Sequence, residues 1–473
     1  MTGFDGKRVV VVGLARSGVA AAHALLRLGA TVTVNDRKEA GELRDFITAL
    51  DPGVTVVVGG HPAELLDSAD IIVVSPGVPT HIGPLRRASG KGVKIIGELE
   101  LAYTISRAIH SEKRTDKGET GILAITGTNG KSTTTMLVYE MLRNSGNSVI
   151  VGGNIGAALT GRMFRPEEEM VLPDFIVAEV SSFQLETIDT FRPQAAAILN
   201  ITPDHLDRYG SMPDYIAAKC GIFLNQTKDD HLILNADDPL TEEILKRLQA
   251  NGKKAQGLPH LHYFSRQRQV EGAYLMGGAV HFNTPFTTPG FCLDPANFRI
   301  KGLHNVENAM TAALLALSVG CSQAAVEKTI IEFPGLEHRL EPVREIGGVR
   351  YINDSKGTNT GAVMKSLEGF SEPVILIAGG RDKDGDFSLL APLVKDGVKA
   401  LILIGEAADK IARALDGSTL IFREEGLDGA VLKAHALALA GDVVLLSPAC
   451  ASFDMFRDFE HRGRCFKEAV MRL

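Results

Sequence analysis

Residues 121–146 read GILAITGTNGKSTTTMLVYEMLRNSG, and the order of residue types in them decides the first question of fold. An apolar run at 122–125 stops at Thr126, and a polar loop follows with Gly127, Thr128, Asn129 and Gly130, then Lys131, Ser132 and Thr133. Beyond the loop Met136, Leu137, Met141 and Leu142 recur at helical spacing up to Asn144-Ser145-Gly146. The stretch therefore reads as strand, glycine loop, helix. Glycines let backbone N–H groups turn inward on a polyphosphate, and the helix N-terminus adds partial positive charge. In such a loop Lys131 reaches the β- and γ-phosphates, and Ser132 or Thr133 ligates magnesium. The stretch departs from the common GxxxxGK[ST] form, because Ile125 stands at the first glycine position and Gly127 replaces it two residues later. A plain glycine turn with an exposed lysine is the competing reading, and it leaves the register of strand, loop and helix unexplained. The residues point to ATP.

The shortened loop TGTNGKST resembles the ATP site of the Mur ligases and of their relatives the folylpolyglutamate synthetases. Those enzymes use ATP to join a carboxylate to an amino acid's amine. The rest of the chain tests the likeness. Its 473 residues suggest two to four domains. With 45% hydrophobic and 23% charged residues it has the composition of a soluble globular protein, and a formal net charge of -7 argues against nucleic acid as a partner. Cys220, Cys292, Cys321, Cys450 and Cys465 are scattered and form no CxxC pair, so they read as reduced cytosolic thiols. The N-terminus shows no signal peptide and no apolar run approaches the ~20 residues that span a bilayer, so the expected location is the cytoplasm.

The chain is expected to hold three α/β domains. The first, residues 1–97, opens with KRVVVVGLARSG at 7–18, a strand, tight turn and helix start, and a second strand at 31–35 ends in Asp36-Arg37. This is a Rossmann-like layout with a degraded fingerprint: Gly13 and Gly18 are present, but Ala15 holds the middle position. Further strands are expected at 54–58 and 71–74, the latter leading into Ser75. Ser75, Asp36 and Arg37 read equally as ligand contacts or as turn residues. The likeness implies that this domain holds the UDP part of a substrate against Ser17, Asp36, Arg37 and Ser75, with Asn154 and His205 contributing from the next domain.

The second domain, residues 98–335, carries the ATP loop on a P-loop-type parallel sheet. Residues 111–120 read as a solvated connection before it. A strand at 175–179 ends in Glu179, a carboxylate beside the phosphate loop that suits a magnesium ligand better than a surface charge. The strand at 195–199 opens into NITPDHLDRYGSM, where His205 lies among Asp204, Asp207 and Arg208 as either a structural histidine or a ligand. Lys219 sits on a helix expected at 214–225, and on spacing alone it is a surface lysine. The likeness of NITPDHLDRY and YIAAKCGIF to the Mur ligases implies instead that Lys219 is carbamylated and joins a metal site with Ser132, Glu179 and His205. That site would take two magnesium ions, or manganese in their place. Residues 258–298 read as a small antiparallel appendage. A helix at 301–318 starts with Asn305 and Asn308, three apart and so on one face, either as caps or against a nucleotide base; the likeness implies the base.

The third domain, residues 336–473, begins with Arg339 at the junction, placed either to neutralise charge on the γ-phosphate or to bridge domains. Strands at 350–353, 374–378, 401–404 and 443–446 alternate with helical patterns, a second Rossmann-like unit. Their ends carry Asp354, Lys356 and Thr358, then Lys383, then Ser452 and Phe453, with Phe459 beyond. The carboxyl edge of a parallel sheet lines one crevice, and lysines with hydroxyls there suit a small dicarboxylate. DSKGTN with LSPACASFD resembles the D-glutamate-adding branch of the Mur ligases, and the resemblance runs over essentially the whole chain. It implies an ATP-dependent ligase that joins D-glutamate to UDP-N-acetylmuramoyl-L-alanine through an acyl phosphate. Asp354 would touch ATP and orient either Lys356 or the incoming amine. A monomer is expected, and because the reactants would sit on three separate domains, the last is expected to close before chemistry and exclude water. Three other readings stand beside it. A folylpolyglutamate synthetase is disfavoured by the first domain, an NAD oxidoreductase by Ala15, and a non-catalytic nucleotide switch by the lysines and Ser452 gathered at one edge.

Overall fold

A computed structural model describes residues 3–113, 119–163, 173–205, 208–252 and 257–473. The described chain divides into two compact units, one of residues 1–201, 213–294 and 307–330, the other of 202–212, 295–306 and 331–473.

The first unit contains two sheets. Strands β1 (Arg8–Val12), β2 (Thr31–Asn35), β3 (Thr55–Val57), β4 (Ile71–Val74) and β5 (Lys94–Gly97) form a parallel sheet in the order β3-β2-β1-β4-β5. The valines of β1 are at most 3% exposed, as a strand covered on both faces requires. Strand order reverses between β1 and β4, so the turns after these two strands, at Gly13 and Ser75, flank the switch point where such sheets bind ligands. The strand at 94–97 is an addition to the four elements expected from sequence.

The second sheet runs β14-β13-β12-β11-β10-β9-β6-β8-β7, from β6 (Gly121–Thr126), β7 (Val149–Gly153), β8 (Phe175–Glu179), β9 (Ala195–Ile198), β10 (His231–Asn235), β11 (His260–Ser265), β12 (Gly272–Met276), β13 (Ala279–Asn283) and β14 (Cys292–Leu293). Residues 258–298 are thus antiparallel only in part. Strands β11 and β12 continue the parallel sheet, and only β13 and β14 run antiparallel. Strand β6 lies between β8 and β9, so the loop it launches sits at the middle of the sheet edge. The helix Glu98–Lys113 enters the segment expected to be a solvated connection, and residues 114–118 of that segment lie outside the described residues.

The second unit holds a sheet in the order β15-β16-β20-β17-β18-β19, built from β15 (Glu341–Ile346), β16 (Val349–Asn353), β17 (Val374–Gly379), β18 (Val398–Ile404), β19 (Leu420–Arg423) and β20 (Val443–Leu446). Strand β15 is its antiparallel edge; the other pairings are parallel. Among the described residues no helix is long and apolar enough to cross a membrane.

Candidate active site

The loop after β6 is built as its sequence predicts. Gly130 adopts φ 86° and opens the helix Lys131–Asn144, a left-handed conformation that a side chain resists. A Cβ there would also strike Asn308 Oδ1, which accepts a hydrogen bond from Thr134 Oγ1 at 3.3 Å. Asn308 therefore braces the loop, while Asn305 donates from Nδ2 to Lys301 O at 2.7 Å. The helix that carries both begins at Leu303, two residues later than expected.

Asn200, which the sequence reading quoted but gave no role, pins the other side of the loop. Its carbonyl accepts from Thr128 N at 2.9 Å, its Oδ1 accepts from Asn129 N at 2.9 Å, and its Nδ2 donates to Asn129 O at 3.1 Å. Two ammonium groups converge on the loop carbonyls. Lys131 Nζ donates to Gly127 O at 2.8 Å and Thr128 O at 2.7 Å, and Lys219 Nζ donates to Gly127 O at 2.9 Å.

Lys219 is thus no surface lysine. It lies on the helix Met212–Cys220, is 2% exposed, and sits 4.6 Å from the centroid of the Tyr215 ring, whose hydroxyl is 3.3 Å from Thr128 Oγ1. A long cationic side chain is buried this deeply only where polar atoms or negative charge receive it.

Glu179 closes the adjacent strand. It pairs in register with Ile125, is 1% exposed, and accepts through Oε1 from Asn154 Nδ2 at 2.8 Å. Asn154, expected against a substrate, is therefore placed on this carboxylate. Ser132 and Thr133 are buried behind the loop, and Thr133 Oγ1 has no hydrogen-bond partner among the described residues. These all-oxygen donors fit magnesium, which prefers carboxylate, hydroxyl and phosphate oxygens.

In the N-terminal sheet the structure puts Ser75 and Asp36 to work on the first turn. Ser75 Oγ donates to Gly13 O at 2.8 Å, and Asp36 Oδ2 accepts from Leu14 N at 2.7 Å. Ser17 is half-buried in the first turn of the helix Arg16–Arg27, and Arg37 is exposed.

In the second unit the loops after β16, β17 and β20 are tied to one another. Ala449 N donates to Gly357 O at 2.8 Å, Gly379 N to Pro448 O at 2.8 Å, and Arg381 N to Ala451 O at 2.9 Å. Asp354 is buried and accepts from Ser366 Oγ and Ser447 Oγ, both at 2.7 Å. Burial pushes its carboxyl up, against the pull of those hydroxyls and of Arg339. Lys356 Nζ lies 4.5 Å from the centroid of the Phe459 ring, and Thr358 follows it in the same turn. Ser452 is 2% exposed and Phe453 is 64% exposed. Lys383 Nζ is 3.7 Å from Asp204 Oδ1, and the neighbouring His205 has φ 55° and places Nε2 3.7 Å from Asp204 Oδ2. Asp207, read with His205, lies outside the described residues. Arg339 lines a cavity of about 610 Å³ with Asn305, Lys301 and Arg350, and its Nε has no hydrogen-bond partner among the described residues.

Three family models match the chain: the Mur ligase MurD-like N-terminal domain at residues 7–97, the Mur ligase middle domain at 125–316, and the Mur ligase glutamate ligase domain at 338–450. A UDP-N-acetylmuramoylalanine–D-glutamate ligase of Pelotomaculum thermopropionicum is 43% identical over 99% of this chain and 98% of its own length. One from Geotalea daltonii is 44% identical over 99% and 98%. The crystal structure of the UDP-N-acetylmuramate–alanine ligase of Thermotoga maritima shares the fold, with a TM-score of 0.59, 20% identity and coverage of 98% of this chain and 99% of that one. The chain belongs to the Mur ligase family.

Proposed function

We propose that this protein joins D-glutamate to UDP-N-acetylmuramoyl-L-alanine at the expense of ATP, a step in building the peptidoglycan precursor. The observation that carries the reading is identity above 40%, over nearly full length on both sides, to ligases named for that reaction.

A carboxylate resists attack by an amine because its leaving group would be oxide. Transfer of the γ-phosphoryl group from ATP to the alanyl carboxylate forms an acyl phosphate and ADP. The D-glutamate amine then attacks the carbonyl carbon, inorganic phosphate leaves, the amide forms and the amine gives up its proton. Lys131, the N–H groups of the glycine loop and the helix N-terminus hold the polyphosphate, where charge spreads over the transferring oxygens. Asn308 and Asn200 keep that loop in shape. Ser132, Thr133 and Glu179 would hold magnesium, or manganese in its place, which would supply positive charge to the reacting phosphates.

Carbamylation of Lys219 would replace its donated hydrogen bond with a carboxylate and add a metal ligand. Asp36, Arg37, Ser17 and Ser75 belong to the turns that receive the UDP portion. Lys356, Thr358, Lys383, Ser452, Phe453 and Phe459 form the crevice for the amino acid, the lysines facing its carboxylates. In this reading residues 1–97, 98–335 and 336–473 divide the labour among nucleotide-sugar, ATP and amino acid. The protein works as a cytoplasmic monomer on water-soluble substrates.

Incubation with ATP, magnesium and UDP-N-acetylmuramoyl-L-alanine, followed by mass spectrometry, tests the reading. A product heavier by one glutamyl residue with D-glutamate, and none with L-glutamate or without amino acid, is the expected result. No product in any arm overturns it.

A further inference from the structure

Arg462 is a fully buried guanidinium without an ion-pair partner among the described residues. It lies in the helix Phe459–Met471, is 0% exposed, and no carboxylate among the described residues comes within ion-pair distance of it. Its donors go to loop atoms instead. Nε donates to Ser355 Oγ at 3.0 Å, Nη2 to Ser355 O at 2.8 Å, and Nη1 to Cys450 O at 3.2 Å and Ala451 O at 3.4 Å. It also lies under Gly380, where an added Cβ would stand 3.3 Å from Nη1. One side chain therefore touches the loops after β16, β17 and β20 together. Ser355 Oγ passes the contact on to Phe459 O at 2.8 Å, and the Phe459 ring lies against Lys356.

Carbonyls and a hydroxyl satisfy the geometry of this cation but give it no ion-pair partner, and a buried charge so placed is expensive. Burial lowers its pKa to about 10, so it stays charged at neutral pH. Asp454 and Asp354 act on it only from beyond ion-pair distance, and Asp354 is engaged by Ser366 and Ser447. A buried cation without an ion-pair partner is thus built in beneath the three loops.

We infer that Arg462 is a positioning and specificity residue for the amino acid: its buried charge holds the three loops in register and favours a dianionic occupant of the crevice they line. The inference rests on the ligase reading above. It adds a residue that does not touch the amino acid and acts through the loops carrying Lys356, Lys383 and Ser452.

The test is steady-state kinetics on the full chain, wild type beside Arg462→Gln and Arg462→Lys, varying D-glutamate, ATP and the UDP-substrate in turn. Glutamine keeps hydrogen-bond donors without the charge, and lysine keeps the charge with fewer donors. We expect Arg462→Gln to raise the KM for D-glutamate about tenfold or more, against less than about threefold for Arg462→Lys, with the other two KM values near wild type. An unchanged KM for D-glutamate in Arg462→Gln overturns the inference. So does equal impairment of both variants in all three KM values, or failure of both to fold, since each shows a structural role alone. Wild-type protein inactive with this substrate pair would overturn the ligase reading, and the inference with it; active wild type with either preceding result overturns the inference alone.

Discussion

Two loops of the first unit share one plan and differ in the charge brought to them. Each follows a parallel strand, turns at a positive-φ glycine and starts a helix: Gly13 after β1, Gly127 and Gly130 after β6. At the first, a carboxylate from the neighbouring strand end occupies the loop, since Asp36 accepts from Leu14 N, and Ser75 ties down the Gly13 carbonyl. At the second, the amide of Asn200 takes the Asn129 N–H, and two lysines lie on the carbonyls. A helix N-terminus attracts anions in both cases. In the proposed function the first loop, already carrying Asp36, receives the UDP portion, and the second, where ammonium groups gather, receives the ATP polyphosphate. On that proposal the same topology serves a nucleotide-sugar or ATP according to the placement of a few charges.

Removing the charges should separate the two loops. The largest effect is expected for Lys131→Ala, with kcat/KM for phosphate release reduced about a thousandfold and the melting temperature little changed. Lys219→Met should reduce the same quantity on the order of a hundredfold while the KM for the UDP-substrate stays near wild type. If Lys219 merely fills space, Met will be tolerated, and the comparison loses its second cation. Asp36→Asn, tested by varying the UDP-substrate, should raise its KM about tenfold and leave kcat at saturation intact. The smallest effect belongs to Ser75→Ala, a loss of about 1 kcal/mol of stability in denaturant melts from one missing hydrogen bond.

What the sequence revealed follows the distance over which each feature is encoded. The ATP loop is contiguous, so apolar run, glycines, lysine and helix periodicity could be read from one window. The meeting of three loops in the second unit was legible through a rule of topology, because strand ends at 353, 379 and 446 are recognisable as apolar runs that stop. Lys219 reaches the loop across 92 residues and Asn200 across 71, and no local pattern announces either contact. Arg462 meets Ser355 across 107 residues and reads in the sequence as one more basic residue of an amphipathic helix. The edge strands β15 and β19 escaped for a different reason. Their sequences EPVREI and LIFR alternate or mix polarity, being partly solvated, and lack the continuous apolar signal of the buried strands. The parallel pairing of β11 with β10 is not legible, because glycines and prolines at 272–289 make the whole region read as an antiparallel appendage.

The most direct test of the division between the two loops is phosphate release from ATP by wild type, Lys131→Ala and Asp36→Asn. Each would be assayed with magnesium and saturating UDP-N-acetylmuramoyl-L-alanine, and with D-glutamate, L-glutamate or no amino acid. Release by wild type and Asp36→Asn with D-glutamate only, and none by Lys131→Ala in any arm, is the predicted result. Release by Lys131→Ala at the wild-type rate, or by wild type irrespective of the amino acid, would contradict it.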